Sequence, residues 1–230
     1  VSAIRAYICK INKRYGQSKA KIIPVIPELL SEEYVNTNFV SEIQNKNDVV
    51  LGVDYTTIMP FVMNMAQLGV AGISGQEASG KHNFFKYIID SLETKHPLTS
   101  EVHIVDGISR RLISCKDKPN VSSYELLPER AFEDIGGIEE TLAERYKEIA
   151  AGNSRFLEDQ KLILLILNSL DVIESLCANA RAYASYKNII GKYKSMKVAV
   201  LIGDMENTIV NFNSPEIFRQ IRDSRHLFFF

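Results

Sequence analysis

The sequence lacks the features that mark several large classes of protein. Its longest apolar runs, such as Leu162–Leu167, are far too short to span a bilayer, and the N-terminus shows no signal-peptide pattern. Basic and acidic residues number 27 and 28, so no global charge draws the chain to nucleic acid or anionic lipid. With 46% apolar and 24% charged residues, the composition excludes a mostly disordered chain.

Cysteine and histidine are also scarce. Three widely spaced cysteines (Cys9, Cys115 and Cys177) form neither a disulfide framework nor a zinc motif, which favours a reducing, cytosolic setting. No serine or cysteine has a recognisable nucleophilic arrangement. We predict no metal site, because no metal-ligand spacing links the four histidines, His82, His96, His103 and His226.

The length of 230 residues suits one α/β domain spanning residues 1–230. A domain of this size buries enough apolar surface to be stable without disulfides or a structural metal. The chain opens with Val1-Ser2 and stops inside the apolar run 227–230. These two features predict a fragment of a larger multi-domain protein, with any membrane attachment outside this piece.

Apolar periodicity predicts the secondary structure. Helices are expected at 2–15 (ended by Gly16), 81–92, 132–151, 170–185 and 215–222. Strands are expected at 49–54, 62–65, 70–74, 101–106, 162–167, 197–202 and 227–230, with a proline-bounded extended piece at 22–27, a capped turn at 31–33 and mixed structure over 107–131. The alternation predicts a mostly parallel sheet flanked by helices on both faces.

One motif carries chemistry. Residues 75–81 match G-x-x-x-x-G-K, the phosphate-binding loop, between a predicted strand and a predicted helix. Such a loop directs backbone N–H groups and a helix start at phosphate oxygens, and Lys81 would reach the β- and γ-phosphates. The plain alternative is a strand–turn–helix with turn glycines. The predicted nucleotide-binding residues are Gly75, Gln76, Glu77, Ala78, Ser79, Gly80, Lys81 and His82.

Two positions depart from an active ATPase. The residue after Lys81 should supply a hydroxyl to Mg²⁺, but it is His82, and Glu77 adds negative charge inside the loop. A buried strand should also end in an acidic pair, but Leu162–Leu167 is followed by Asn168 and Ser169. The nearby Asp171 is expected in the following helix. Without a base, the rate of hydrolysis should fall by roughly 10²–10⁴. His82 therefore argues against Mg²⁺ binding, and both changes together argue against efficient catalysis.

The order of the motifs carries a family resemblance. Pro24–Pro27 precedes Leu51–Asp54, and Gly75–Lys81 follows its strand. Glu144–Lys147 leads to Asn153 and the 162–169 segment. Met196–Val200 precedes the final motifs, Asn213–Ile217 and Arg222-Asp223. Over nearly its whole length the chain resembles the FtsK/SpoIIIE family of P-loop motor ATPases. It most closely resembles the last, degenerate ATPase module of the EssC/EccC coupling proteins of type VII secretion.

The resemblance implies a RecA-like P-loop core on the cytosolic side of a membrane-anchored chain of modules. It implies ATP as the nucleotide, hexameric rings, and recognition of secretion signals on small helical substrate proteins. Our leading hypothesis is therefore a degenerate module for signal recognition and regulation. The alternatives are a slow ATPase active only in the assembled ring and, more weakly, a DNA translocase module, although nucleic acid is not an expected partner.

The remaining candidates have plain structural interpretations. Arginines near predicted site elements (Arg145, Arg155, Arg222 and Arg225) could reach a neighbour's phosphate in a ring, but solvated surface positions are the default. The pair Arg110-Arg111 is a weak nucleic-acid signal. Core packing is the default for Phe84, Phe85 and Tyr87, with a peptide-binding patch as the alternative, and Ile173, Leu176 and Cys177 form an ordinary core stripe.

Overall fold

The structure, a computed structural model, describes residues 2–15, 31–39, 43, 45–95, 98–203 and 216–230. The strands are β1 (Asp48–Val53), β2 (Pro60–Asn64), β3 (Gly69–Ser74), β4 (Ser100–Val105), β5 (Val121–Glu125), β6 (Leu162–Leu167), β7 (Val198–Ile202) and β8 (Leu227–Phe229). The helices are α1 (Ser2–Tyr15), α2 (Glu32–Asn38), α3 (Met65–Leu68), α4 (Lys81–Lys95), α5 (Pro128–Ala150), α6 (Leu170–Ala178), α7 (Ala180–Ile190) and α8 (Glu216–Ser224).

A six-stranded sheet organises the domain in the order β5-β4-β6-β7-β3-β8. Every pairing in this sheet is parallel, so the carboxyl ends of its strands meet at one edge. The candidate phosphate-loop strand β3 lies between β7 and β8, and β6 lies between β4 and β7. The predicted α/β class, a mostly parallel sheet with helices on both faces, is confirmed.

Two hydrophobic layers cover the sheet. On β6, Ile163, Leu165 and Leu167 join one cluster with the apolar faces of α5, α6, α7 and α8. Leu162, Leu164 and Ile166 point to the other face, into a cluster with α3 and α4. This alternation explains the continuous apolar run, because a strand covered on both faces needs no polar side.

The strands β1 and β2 form a separate antiparallel hairpin. The hairpin is tied to α4 by the Tyr87 hydroxyl, which donates to the Val50 carbonyl at 2.6 Å. The chain then turns at Asn64, whose side chain accepts from Ala66 N and caps the short helix α3. The predicted strand 62–65 therefore begins earlier and ends earlier than expected.

Two further boundaries correct the sequence predictions. The helix predicted over 170–185 is broken at Asn179, whose extended backbone and side chain, accepting from Ala182 N, start α7 as a new helix. The region 107–131, predicted only as mixed, contains the strand β5. Its sequence, Val-Ser-Ser-Tyr-Glu, contains two serines and a glutamate and therefore has no apolar run to recognise.

Several predictions fall outside the described residues: the helix end at Gly16, the extended piece 22–27, His96, and the motif residues 213–215. The predicted helix 215–222 is described from Glu216 as α8. Within the described ranges, no helix combines the length and apolar character needed to cross a bilayer.

Arg145 is neither a surface arginine nor a group poised for phosphate, and the structure corrects both interpretations. Arg145 lies on the buried face of α5, and the residue is only 4% exposed. The guanidinium Nη1 donates to the carbonyl oxygens of Lys161 and Met196, at 3.0 and 2.9 Å. Burial lowers the pKa of this group, but an arginine keeps its charge in proteins. Arg145 therefore joins α5 to the segments that precede β6 and β7.

We expect Arg145→Met to lower the free energy of unfolding by about 1–3 kcal/mol, because two carbonyl oxygens lose their charged donor. Urea unfolding followed by circular dichroism measures the effect. The matched control, Arg155→Met at an exposed position, should change stability by no more than about 0.5 kcal/mol. Equal effects of the two substitutions would contradict the assigned role.

Candidate functional site

The loop between β3 and α4 carries the predicted phosphate-binding motif, and the structure shows why two of its residues are glycines. Gly80 has a φ of +102° and leads directly into α4, a conformation that favours glycine. A Cβ on Gly75 would lie 2.5 Å from Ser79 Oγ and 2.9 Å from the carbonyl oxygen of Phe230. The local geometry therefore favours glycine at both motif positions.

Lys81 lies inside this loop. The residue is 3% exposed, and its Nζ donates to the carbonyl oxygen of Gly75 at 2.9 Å. The ammonium group thus crosses the loop at the position where it can meet an anion that the loop holds. His82 follows in the first turn of α4 and carries an imidazole where a hydroxyl would serve Mg²⁺.

Glu77 projects from the loop toward the segment after β4. Its carboxylate pairs with the Arg111 guanidinium at 2.8 Å. Both side chains are well exposed, at 80% and 50%, so the pair contributes at most about 1 kcal/mol. The negative charge that the sequence placed among phosphates is therefore turned outward and partly balanced.

At the carboxyl edge of the sheet, the dominant polar group is a residue that the sequence analysis overlooked. Asp106 follows β4 and is fully buried. Its carboxylate accepts from the backbone N–H of Leu112 at 2.7 Å, from the Tyr124 hydroxyl at 2.6 Å and from Asn168 Nδ2 at 2.8 Å. We refer to these four residues as the strand-end cluster. It ties together the ends of β4, β5 and β6.

The cluster fixes the protonation of Tyr124. Burial, followed by the hydrogen bond to Asp106, raises the pKa of Tyr124, so the hydroxyl keeps its proton and remains a donor. A signal for Asp106 was available: a lone carboxylate at the end of a strand, in a parallel sheet that also contains β6.

Asn168 has its amide nitrogen committed to this cluster. The other end of the amide, Oδ1, is buried with no hydrogen-bond partner among the described residues. A Cβ on Gly203 would lie 2.8 Å from that oxygen. Ser169 is 8% exposed and lies beside Gly107. The structure thus brings Asn168 and Ser169 to the carboxyl edge with the phosphate loop, while Asp171 lies exposed on α6, as predicted.

These residues fit a phosphate better than a nucleotide-bound magnesium ion. The loop offers backbone N–H groups, a helix start and Lys81, all suited to anions. The positions that would hold Mg²⁺ present the imidazole of His82 and the neutral amide oxygen of Asn168. Within the described part of the chain, no three His, Cys, Asp or Glu side chains gather into a metal-binding group.

The aromatic residues after the loop belong to the core, as the default interpretation predicted. Phe84 and Phe85 are 9% and 0% exposed. The Phe84 ring packs against Phe228 and Phe230, with centroids 5.2 and 5.0 Å apart. These contacts hold β8 beside the phosphate loop, and they remove Phe84 and Phe85 as a peptide-binding patch.

The parallel sheet and the loop after β3 have the arrangement seen in P-loop ATPase domains. No family model matches the chain. In sequence, it is 29% identical over 130 residues to the ESX secretion system protein EccC of Geobacillus thermodenitrificans; the match covers 56% of this chain and 8% of that protein.

Solved structures give the same picture at the level of fold. The cytoplasmic domain of EssC superposes with a TM-score of 0.72 at 20% identity, covering 99% of this chain and 44% of that one. EssC ATPases 2 and 3 from Geobacillus thermodenitrificans superpose with a TM-score of 0.69 at 20% identity, covering 99% of this chain and 42% of that one. Thermomonospora curvata EccC ATPases 2 and 3 were solved in complex with a signal sequence peptide. They superpose with a TM-score of 0.63 at 13% identity, covering 90% of this chain and 37% of that one.

The chain is therefore similar to an EssC/EccC-type ATPase module and has an FtsK-like fold, which confirms the predicted resemblance. It spans less than half of each of these solved chains and a small part of the curated EccC.

We expect Asn168→Asp to destabilise the domain by about 1–3 kcal/mol, because a second carboxylate would replace the amide donor 2.8 Å from Asp106. The double variant Asp106→Asn/Asn168→Asp restores a donor facing an acceptor and should recover most of the loss. Urea unfolding at pH 7 measures both.

Asn12→Asp, on the exposed face of α1, is the control that adds the same charge without touching the cluster. If the double variant were no more stable than Asn168→Asp alone, the assigned hydrogen bond would be wrong.

Proposed function

We propose that this domain is a regulatory, nucleotide-binding module of a type VII secretion coupling protein. It binds ATP with little or no hydrolysis and recognises the signal of a helical secreted substrate. In this proposal the chain is one ATPase module of a longer membrane-anchored protein, on the cytosolic side. One observation carries the proposal. Lys81 lies buried across the motif loop, where it can meet a phosphate, whereas the side chain after β6 is an amide, Asn168, that donates to Asp106.

Phosphate binding is supported by the loop itself. The backbone of residues 75–80 and the start of α4 present N–H groups to an anion. Lys81 supplies a buried positive charge, which must exchange its bond to the Gly75 carbonyl for one to phosphate. Bound ATP supplies a phosphoanhydride that can be hydrolysed only where water is activated.

Weak hydrolysis is supported by the strand ends. An attacking water needs a carboxylate or comparable base near the γ-phosphate. The positions after β6 carry an amide and a hydroxyl, and the buried carboxylate at the same edge, Asp106, has both oxygens occupied by donors. This arrangement holds the sheet edge together but offers no group to take a proton.

We expect a fluorescent ATP analogue to bind the purified domain with or without Mg²⁺, since no hydroxyl or carboxylate stands at the Mg²⁺ positions. Lys81→Ala should weaken binding at least about tenfold, or about 1.4 kcal/mol. Lys86→Ala, on the same helix outside the loop, is the matched control and should bind like the parent. Absence of binding at millimolar nucleotide would reduce the loop to a scaffold and overturn the proposal.

Phosphate release separates this proposal from the slow-ATPase alternative. We expect the parent and Lys81→Ala to release phosphate at the same background rate. A rate that falls in Lys81→Ala and rises with protein concentration would instead assign a motor that works in the assembled ring.

Signal recognition is supported by a pocket at the carboxyl edge. A cavity of about 350 Å³ is lined by three basic residues, one acidic residue and several apolar ones. The basic residues are Arg110, Lys116 and Arg130, the acidic one is Glu125, and the apolar ones include Ile113 and Leu127. Ile113 and Leu127 are 48% and 52% exposed. We assign this pocket to a helical peptide that carries apolar and acidic side chains. The similar EccC from Thermomonospora curvata was solved with a signal sequence peptide.

One loop connects this pocket with the nucleotide site. Arg110 lines the pocket, and the next residue, Arg111, pairs with Glu77 of the phosphate loop. The same loop is anchored through Leu112 N to Asp106. A phosphate that moves Glu77 would therefore act on the pocket wall, which supports nucleotide-dependent peptide binding.

We expect a helical C-terminal signal peptide to bind in NMR titration with a Kd on the order of micromolar or weaker. Leu127→Asp should weaken binding about tenfold by placing a charge on the pocket wall. Tyr55→Asp, on the β1–β2 hairpin at an 85% exposed position, is the matched control. No shift change at high peptide concentration, or equal loss in both variants, would contradict this assignment.

A further inference from the structure

The helix α1 presents an apolar face to solvent. Ile4, Tyr7, Ile8 and Ile11 recur at helical spacing and are 65%, 67%, 50% and 42% exposed. Four large side chains on one face are unlike the scattered exposed apolar residues of an ordinary surface. Such a face is stable in water only when something covers it.

The rest of α1 is basic. Arg5, Lys10, Lys13 and Arg14 lie around the apolar face, and the helix has no acidic residue. The whole chain carries a net charge of −1, so this helix is a local positive feature on a chain that is otherwise acidic. A surface that receives α1 should therefore be apolar at its floor and acidic at its rim.

A groove of that description lies between α5 and α7. It has a volume of about 590 Å³, and its floor includes Phe132, Gly136 and Ala182. Glu129, Glu133 and Glu140 line it from α5, and Arg181 lines it from α7. We refer to this feature as the α5–α7 groove. Its rim carries more acidic than basic groups.

Packing among the described residues does not explain the two glycines of the groove. Gly136 and Gly137 lie in the middle of α5, where each disfavours the helix by about 1 kcal/mol relative to alanine. A Cβ on either would meet no atom within 4 Å among the described residues. Internal packing does not demand glycine there, whereas a helix approaching from outside would.

We propose that α1 of one copy of this chain lies in the α5–α7 groove of a second copy. The apolar face of α1 covers the groove floor at the glycines, and its basic residues face the three glutamates of α5. The dimensions agree, because α1 is about 21 Å long and α5 about 35 Å at 1.5 Å per residue. The contact joins different surfaces on the two copies, so it is heterologous and extends head to tail. It does not depend on nucleotide.

Sedimentation velocity of the full chain tests the contact directly. We expect the weight-average mass to rise with protein concentration at low salt and to fall as salt increases, because the facing charges are exposed. A chain that stays monomeric at all concentrations in low salt would overturn the proposal.

Two variants block the two halves of the contact. Gly137→Leu fills the groove and should weaken association at least tenfold, while improving rather than harming the helix. Ala184→Leu adds a leucine at an exposed position of α7 outside the groove and should leave association unchanged. Ile8→Glu places a charge on the apolar face of α1 and should weaken association as Gly137→Leu does.

Mixing the blocked variants gives the decisive result. Ile8→Glu keeps an intact groove, and Gly137→Leu keeps an intact α1, so the mixture should form one-to-one pairs that grow no further. Association that ignores Gly137→Leu, or no pairing in the mixture, would overturn the proposal. Binding of α1 to anionic phosphatidylglycerol vesicles without any self-association would instead assign the helix to a membrane surface.

Discussion

The buried carboxylate of Asp106 is the constraint on which the carboxyl edge of the sheet depends. A carboxyl group in a fully buried position is tolerated only when its oxygens have hydrogen-bond partners. Here the donors come from Leu112, Tyr124 and Asn168, which belong to three different segments. The position after β6 is therefore occupied by an amide for a structural reason. In the proposed function, this amide stands where an ATPase would carry a carboxylate that activates water.

That anchor also determines what lies around it. Leu112 holds the segment after β4 in place. This segment brings Arg111 to Glu77 and places Arg110 in the wall of the pocket at the carboxyl edge. The phosphate loop and the pocket are thus attached to one short piece of backbone with a rigid base. A displacement of Glu77 would be transmitted through its ion pair with Arg111 to the pocket wall, because the Leu112–Asp106 hydrogen bond holds the base of the segment fixed.

Sequence patterns predicted much of this fold because the relevant signals are local. The apolar run of β6 and the spacing in α5 are visible without any knowledge of neighbours. Asn179 was missed as a break, because an asparagine can continue a helix or cap a new one, and packing decides between them. β5 was missed because a polar strand is recognisable only beside β4.

The candidate site was predicted unevenly for a related physical reason. The loop at 75–81 is a contiguous motif, so its residues could be named directly. The partnership of Asp106 with Asn168 joins the ends of two strands that are distant in the chain, and only their parallel register brings them together. Arg145 was misjudged in the same way, because its two carbonyl partners precede different strands.

The register of β3 has a consequence for how the chain acquires its shape. Val70 pairs with Val200, and Gly72 pairs with Leu227, so both sheet neighbours of the strand that precedes the loop come much later in the sequence. Pairings between such distant segments form slowly, because a long loop must close before they stabilise anything. During synthesis this strand leaves the ribosome before β7 and β8, so it stays without its sheet partners until they follow. The loop after β3 is therefore synthesised before the other parts of the site but is among the last to become structured.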